Sequence, residues 1–362
     1  MSMLKRTALL SLVVFLLAPA ASQAAWTVKG RGFGHGVGLS QYGAYGFAKN
    51  GRTYKQILRH YYTNTKVGKV RGGKVRVLLN SGVGSVGFTG AKRACGEKVS
   101  PKRNYAFAAS GGGVVLRTAG GERLKKCGKE AVASDRVIKI AGEGRYRGSL
   151  VAAADGGELY VINQLDLEDY VKGVVPNEVP ASWPAHALRA QAVVARSYGI
   201  ATERSGPFDH YDDTRSQVYG GLASETKATN RAVEATSREV VKYKGKTATT
   251  YYFSTSGGRT ENSEFGFSGG NRVPYLRSVK DPFDDVSPVH TWTEKFSDSQ
   301  MEAELTGLFS GKLRRIEILE TGKTPRIVRA RIVGSSGSKT VSGDTLRARL
   351  GLRSTWAKFR HR

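Results

Sequence analysis

Residues Leu165–Ala201 read LDLEDYVKGVVPNEVPASWPAHALRAQAVVARSYGIA, and we expect the rest of the fold to be organised around them. Pro176 and Pro180 each fix φ and restrict the residue before them, so they predict a short, stiff loop that presents one acid, Glu178. One acid held beside a buried helix suits a general acid/base, although most loop carboxylates are ordinary solvated groups. Spacing alone leaves both interpretations of Glu178 open.

The alanine-rich segment after Glu178 predicts a helix that starts near Ser182-Trp183-Pro184, because proline is favoured in the first turn. Its residues are small and apolar nearly all round, which predicts burial in the centre of a domain. Arg196 lies within this helix, and a buried arginine needs a carboxylate or several acceptors. Two roles for Arg196 therefore stay open, a structural ion pair and a clamp for substrate.

The whole chain of 362 residues is long enough for two domains or one large one, and its 45 glycines predict many turns and short strands. Lys74–Leu79 alternates as a strand does, and Asp155-Gly156-Gly157 predicts a hairpin between Leu150–Ala154 and Glu158–Asn163. We therefore predict an α+β fold that is β-rich, with a central Ala-rich buried helix and an inserted β-rich subdomain.

Residues 1–24 have the pattern of a signal peptide. Lys5 and Arg6 form a basic start, Ala8–Leu17 is apolar, and Ser22-Gln23-Ala24 offers small residues at a cleavage site. The apolar run is short for a membrane anchor, and no second run of about 20 apolar residues follows. We expect an exported chain without a transmembrane segment after leader removal, secreted or held in the cell envelope, in the periplasm or the wall.

The chain is strongly basic, with 57 Lys and Arg against 30 Asp and Glu. The leader contributes two of the positive charges, so the mature charge falls from +27 to +25. Such a charge predicts polyanionic partners. Export and the lack of a recognisable nucleic-acid module argue against nucleic acid. Anionic envelope polymers fit better: teichoic acids, anionic lipids or glycan strands that carry carboxylates.

Two cysteines, Cys95 and Cys127, fit an oxidising compartment and predict a disulfide. The chain-entropy model gives such a bridge about 3–4 kcal/mol. A two-cysteine metal site is the alternative, and no histidine falls between the two residues.

The segment GRGFGHGVGLSQYGA, Gly30–Ala44, places a glycine at every second position over Gly30–Gly38, which predicts positive φ or close approach to its backbone. It lacks the GxGxxG spacing and the closing lysine-serine pair of phosphate loops. His35 has a structural and a catalytic interpretation, both open. Ser40 is expected to cap a helix.

Two further segments offer polar side chains. The loop STSGGRTEN, Ser254–Asn262, has hydroxyl and amide groups suited to sugar recognition, or forms a plain polar turn. Its SxSGG is similar to the loop around a serine-protease nucleophile, but no histidine and aspartate can be assigned matching roles. His210, Asp212 and Asp213 suggest a metal, yet their spacing matches no standard zinc pattern.

Taken together, several motifs resemble those of the stage II sporulation protein D (SpoIID)/LytB family: YVKGVVPNEVPASWPAHALRAQAVVARSYGIA, DDTRSQVYGG, YYFSTSGGRTEN, PYLRSVKDPFD, VSGDTLRARLGLRSTW and GFGHGVGLSQYGA. The resemblance implies a peptidoglycan-active protein. The sporulation member is a lytic transglycosylase that cleaves peptide-stripped glycan strands, and the LytB member enhances an amidase. The family's essential glutamate, in its VVPxE motif, falls on Glu178.

The chain departs from the family in two ways. The GHGVGxSQYGA block usually follows LGLRSTW, but here it comes first, so the chain resembles a circular permutant whose termini lie side by side. We expect this permuted segment at residues 25–67 to pack on a catalytic core at 151–362, with the β-rich subdomain at 68–150. The cysteine ligands for zinc before QVYGG are missing, so we predict neither a metal nor another cofactor.

The implied mechanism needs one acid/base. Val174, Val175 and Trp183 are expected to raise the pKa of Glu178. The residues expected to bind substrate are Arg196, Gln191, His35, Ser40, Gln41, Ser254, Ser256 and Arg259. The expected partners are peptidoglycan glycan strands and an amidase or other wall hydrolase. A non-catalytic wall-binding enhancer and a basic scaffold that binds teichoic acid are the alternatives.

Overall fold

The computed structural model describes residues 25–362, and it has the β-rich α+β fold expected from the sequence. The expected signal peptide, residues 1–24, lies outside the described residues. In this range the strands, β1 to β23 in chain order, are Trp26–Arg31, Leu39–Ser40, Lys66–Lys69, Lys74–Val83, Ser85–Thr89, Arg93–Ala94, Glu97–Lys98, Tyr105–Ser110, Gly113–Thr118, Arg123–Gly128, Glu130–Ile140, Gly144–Asp155, Glu158–Asp166, His210–Tyr211, Glu239–Tyr243, Lys246–Thr247, Tyr252–Phe253, Thr291–Phe296, Phe309–Ser310, Leu313–Thr321, Ile327–Gly334, Gly337–Ser342 and Ala357–His361. The helices, α1 to α9, are Gln41–Lys49, Tyr54–Tyr61, Leu167–Glu178, Ala185–Ala201, Gly221–Ser224, Lys227–Ala235, Ser263–Gly266, Asp298–Glu304 and Gly343–Arg349.

The largest sheet has the order β10-β9-β8-β5-β11-β12-β13-β4-β14, with β6 and β7 attached beside β11. The hairpin predicted across Asp155-Gly156-Gly157 is confirmed as β12–β13, in which Asp155 lies opposite Glu158. Gly156 and Gly157 both have positive φ, +55° and +95°, as a two-residue hairpin turn requires. Strand β12 includes residue 150 and pairs with β11 on one side and β13 on the other. The sheet therefore continues through residue 150, where we expected the β-rich subdomain to end.

The part of the large sheet formed by residues 68–150 is strongly basic, with 18 Lys and Arg against 5 Asp and Glu. Directly opposed like charges on neighbouring strands destabilise a sheet. Three such pairs occur here: Arg93 with Lys98, Arg117 with Arg123, and Lys139 with Arg145. The predicted disulfide between Cys95 and Cys127 is confirmed, and it joins β10 to the chain after β6.

Helix α4 is the central alanine-rich helix predicted from the sequence, and it begins directly after Pro184. One face packs Leu188, Ala192 and Ala195 into the core of the large sheet. The other face packs Val193 and Val194 into a second core, with α1 and α2. Small side chains allow neighbours to approach both faces closely, which explains why this helix lies at the junction of the two cores.

The two ends of the described chain lie side by side. Strand β1 pairs with β23, and Trp26 lies opposite His361. The backbone N–H of Arg31 also donates to the carbonyl of Trp356 at 3.0 Å. This arrangement meets the spatial condition of a permuted chain, while the permutation itself stays a prediction.

The glycine-rich segment contains strand β2, which pairs with β17 so that Leu39 lies opposite Tyr252. At Gly38, φ is +81° and a Cβ atom would lie 2.1 Å from the carbonyl oxygen of Tyr251, so only glycine fits. Ser40 caps α1, as predicted, by accepting from the N–H of Gly43 at 3.2 Å. This cap fixes the start of α1 and therefore the position of Gln41.

Candidate active site

Glu178 is the last residue of helix α3, which corrects the expected loop between two prolines. Helix α3 continues through Pro176, and Asn177 donates to the carbonyl of Gly173 at 2.6 Å in its last turn. Val179 is extended (φ −142°, ψ 145°), as a residue before proline prefers, so the helix stops directly after Glu178. The side chain is thus held by a regular element and not by a stiff loop.

Three neutral groups surround the Glu178 carboxyl. The N–H of Val218 donates to Oε1 at 3.1 Å, and the nearby Tyr252 hydroxyl and Gln41 amide also act to lower the pKa of this carboxyl. These donors favour the charged form. Burial opposes them and prevails, so the pKa of Glu178 is raised above its ordinary value. The position at the carboxyl end of a helix acts in the same direction.

Tyr252 connects this carboxyl to a buried network. Its hydroxyl donates to Oε1 of Gln217 at 3.0 Å, and Nε2 of Gln217 donates to the Tyr170 hydroxyl at 3.1 Å. The hydroxyl has one proton, and in this structure it is directed to Gln217. Burial raises the pKa of Tyr252 well above its ordinary value, which keeps that proton in place.

The glycine-rich segment reaches the same site from the other side. Nε2 of Gln41 donates to the backbone carbonyl of Glu178 at 3.1 Å. Nδ1 of His35 accepts from the N–H of Val37 at 3.0 Å, so its other nitrogen carries the proton and donates to the carbonyl of Tyr252 at 3.0 Å. Burial and the charge of Arg326 lower the pKa of His35 to about 3, which makes it a neutral group that holds Tyr252.

Gln191 has an incomplete hydrogen-bonding environment. It is almost fully buried, and both polar atoms of its amide lack a partner among residues 25–362. It lies one helical turn before Ala195, whose carbonyl accepts from Gln217 at 3.3 Å, so it shares the face of α4 that meets the network. A buried unpaired amide is costly, which makes Gln191 a candidate to bind a polar ligand group.

Arg196 occupies a buried ion pair. Its guanidinium donates to both carboxylate oxygens of Glu168, at 2.9 and 2.8 Å, and to the backbone carbonyls of Ala192, Val233 and Glu239. Its side chain is fully buried. Of the two roles left open, the structure shows the ion pair, and a clamp on substrate would require this pair to break.

The other expected binding residues lie in separate surroundings. The Ser256 hydroxyl donates to one carboxylate oxygen of the buried Asp284 at 2.8 Å, and His290 lies 3.0 Å from the other oxygen of that carboxylate. Ser254 contacts the hydroxyl of Thr255, and its carbonyl accepts from the N–H of Tyr42 at 3.0 Å. Nε of Arg259 donates to Ser278 at 2.9 Å. None of these contacts joins Ser254, Ser256 or Arg259 to Glu178.

His210 is held by contacts within the protein core. One ring nitrogen lies 2.8 Å from the carbonyl of Gly199, and the ring stacks on Tyr170 with centroids 5.5 Å apart. Within residues 25–362, no group of three His, Cys, Asp or Glu side chains is arranged to hold a metal ion.

The sequence assigned no role to Tyr252, Gln217 or Val218. All three lie in quoted motifs, YYFSTSGG and SQVYGG, but their types carry no chemical signal on their own. They become neighbours of Glu178 only when β17 pairs with β2 and the segment after β14 returns to α3.

No helix among residues 25–362 is long and apolar enough to cross a membrane.

Comparisons with known proteins agree with the motifs. Residues 155–243 match the family model SpoIID, "Stage II sporulation protein". The chain is 33% identical to stage II sporulation protein D of Bacillus subtilis over 213 residues, which is 53% of this chain and 60% of that protein. It is 44% identical to the amidase enhancer of Bacillus subtilis over 135 residues, 37% of this chain and 18% of the enhancer.

A protein of Brachyspira hyodysenteriae is 37% identical over 164 residues, 44% of each chain. The chain thus spans between 18% and 60% of the length of these relatives. The resemblance predicted from the motifs is confirmed: residues 155–243, which contain Glu178, match the SpoIID model, and the relatives include a stage II sporulation protein D and an amidase enhancer.

Proposed function

We propose that this protein is an exported, peptidoglycan-active lytic transglycosylase that cleaves peptide-stripped glycan strands, with Glu178 as its single general acid/base. The observation that carries the proposal is the environment of Glu178: a half-buried carboxyl with a raised pKa, in contact with neutral hydrogen-bond donors. A raised pKa keeps a carboxyl protonated closer to neutral pH, which an acid catalyst requires.

The reaction needs one carboxyl in two states. Protonated Glu178 donates its proton to the glycosidic oxygen as the bond from C1 of the muramic acid breaks. The resulting carboxylate then takes the proton of the C6 hydroxyl, whose oxygen bonds to C1 and forms a 1,6-anhydro ring. The proton returns to Glu178, and no water is consumed, so the second carboxylate of an ordinary glycosidase is not needed.

The surrounding groups fit both states. When the carboxyl is charged, the N–H of Val218 and the hydroxyl of Tyr252 stabilise it. When it is protonated, the Tyr252 hydroxyl keeps Oε1 of Gln217 as its acceptor, at 3.0 Å. Gln41 and His35 act by holding Glu178 and Tyr252 through hydrogen bonds to their backbone carbonyls.

The test is digestion of purified, peptide-stripped glycan strands, with 1,6-anhydromuramyl ends detected by mass spectrometry. Glu178→Gln keeps the shape of the side chain and should abolish the product. The matched control is Asp169→Asn, on the first turn of the same helix about 13 Å along its axis, where burial also raises the pKa of a carboxyl. Activity retained by Glu178→Gln, or no anhydro product from the unaltered protein, would refute the proposal.

A second candidate function is a non-catalytic wall-binding enhancer of an amidase. The similarity to a protein named amidase enhancer favours it. This function predicts that Glu178→Gln stimulates a purified amidase as well as the unaltered protein does. Stimulation that falls with the loss of anhydro ends would instead assign both effects to strand cleavage.

The positive charge of the protein suggests anionic binding partners. The basic strands of residues 68–150 provide a surface for anionic envelope polymers, whose binding would weaken with salt and not depend on Glu178. The arrangement of a permuted segment 25–67 on a core of residues 151–362 is part of the same proposal. It is supported by the hydrogen bond from Gln41 to Glu178 and by the pairing of β1 with β23.

A further inference from the structure

Helix α1 and the loop between α3 and α4 together display a cluster of aromatic rings. Tyr42 and Tyr45 lie three residues apart on α1, and Trp183 comes from the loop. The ring centroid of Trp183 lies 5.1 Å from that of each tyrosine. All three side chains are half-exposed, so their packing leaves ring surface in contact with solvent. Exposed aromatic surface in a cleft commonly marks a binding site.

The three rings line a cleft of about 630 Å³, within the range of roughly 300–1,000 Å³ typical of small-molecule sites. Val286, which is 50% exposed, lies across the cleft on a 3-10 turn, Asp284–Val286. Lys49 and Asn50, at the end of α1, add a cation and an amide. Apolar faces with a few polar groups suit a pyranose ring, which has apolar C–H faces and polar edges.

Two segments that line this cleft also lead to the proposed catalytic carboxyl. Gln41, which donates to the backbone carbonyl of Glu178 at 3.1 Å, directly precedes Tyr42. Trp183 follows Glu178 by five residues, and its N–H donates to the carbonyl of Pro180 at 3.1 Å, which closes the loop. A glycan strand that extends from Glu178 along this loop would place another of its sugars on the aromatic rings.

The charges around Trp183 complement a glycan that carries carboxylates. Lys49 lies on one side of the indole, and on the other side Trp183 lines a smaller cleft of about 240 Å³ together with Arg189 and Arg231. A strand passing over the indole would meet basic side chains on both sides.

We infer that the cleft lined by Tyr42, Tyr45 and Trp183 is a subsite for an N-acetylhexosamine unit of the glycan strand, and that Lys49 contacts the carboxylate of a neighbouring muramic acid. The choice of this sugar rests on the proposed function, whereas the aromatic cleft itself does not.

The test measures binding by isothermal titration calorimetry, in the Glu178→Gln background so that no ligand is cleaved. The ligands are a peptide-free tetrasaccharide of alternating N-acetylglucosamine and N-acetylmuramic acid, and chitotetraose, which lacks carboxylates. Trp183→Ala and Tyr45→Ala should each raise Kd for both ligands about tenfold. Lys49→Ala should raise Kd for the first ligand alone.

The matched control is Tyr160→Ala, which removes a half-exposed tyrosine from β13 in the large sheet and should leave Kd unchanged. Thermal melting confirms that each variant is folded, and Tyr45→Phe, which keeps the ring, should bind like the parent. Unchanged affinity in folded Trp183→Ala and Tyr45→Ala, or no binding by the parent, would overturn the subsite. If these variants lose affinity while the unaltered protein makes no anhydro product, the subsite stands and the transglycosylase proposal fails.

Discussion

A buried carboxyl pair beneath α1 predicts that alkaline pH weakens this protein. Asp281 and Asp284 are both almost fully buried. Asp284 accepts from Ser256 at 2.8 Å and from the N–H of Gly257 at 2.6 Å, and His290 lies 3.0 Å away. Asp281 accepts from the Tyr61 hydroxyl through one oxygen only, and its other oxygen lacks a partner within residues 25–362. Asp284 therefore has more hydrogen-bond donors than Asp281, one of whose oxygens is left unpaired.

The magnitude follows from the pKa of Asp281. Burial, and then the charge of Asp284, raise this pKa from 3.8 to about 7. Between these values the folded state binds more protons than the unfolded state, so the free energy of unfolding falls as pH rises. A shift of this size removes about 4 kcal/mol in total, and about 3 kcal/mol of that between roughly pH 5 and pH 9. The loss is complete only about two pH units above the folded-state pKa, near pH 9.

The assay is urea unfolding of the unaltered protein and of Asp281→Asn across this pH range. The difference between the two curves isolates Asp281, because all other side chains are common to both proteins. Asp281→Asn should lack the decline of about 3 kcal/mol. Carbon-13 NMR of the Asp281 carboxyl measures the pKa directly in the unaltered protein. Parallel stability curves together with a carboxyl that titrates near pH 4 would refute the reasoning.

Three more outcomes are expected. Tyr252→Phe removes a donor that lowers the pKa of Glu178, so the pH above which kcat/KM falls should move upward by on the order of one unit in a pH–rate profile. Arg196→Ala leaves the Glu168 carboxylate without its arginine partner, so the free energy of unfolding measured in urea should fall by about 3–5 kcal/mol. Replacing both residues by apolar ones should recover part of that loss. The basic strands repel one another, so the Tm measured by calorimetry should rise as NaCl increases from about 50 to about 500 mM. Lys139 lies opposite an arginine, so Lys139→Glu should reduce that rise. A Tm that does not change with salt would contradict the repulsion.

Local patterns predicted the elements whose causes are local. The hairpin at Gly156-Gly157 needs only two residues able to adopt positive φ, and the cap at Ser40 needs only one hydroxyl near an open N–H. The burial of α4 follows from its own small, apolar residues. The disulfide followed from composition and compartment, because Cys95 and Cys127 are the only two cysteines in the sequence.

The end of α3 shows where local reasoning fails. Pro176 and Pro180 predicted a loop around Glu178, yet α3 extends to Glu178 because Val174 and Val175 are fully buried in the core of the large sheet. Tertiary packing outweighs the hydrogen bond that a proline removes from a helix. The large sheet also runs through residue 150, where we expected a boundary, since pairing between strands depends on partners distant in sequence.

The surroundings of Glu178 depend on contacts between distant segments. Gln41 lies 137 positions before the glutamate, and Val218 lies 40 positions after it. No spacing rule connects such residues, so the sequence indicated an acid but not what sets its pKa. The same argument explains Arg196: its partner Glu168 is 28 positions away, on the neighbouring helix. A charged residue in an apolar helix predicts that a partner exists, but only the packing of α3 against α4 decides whether that partner belongs to the protein or to a ligand.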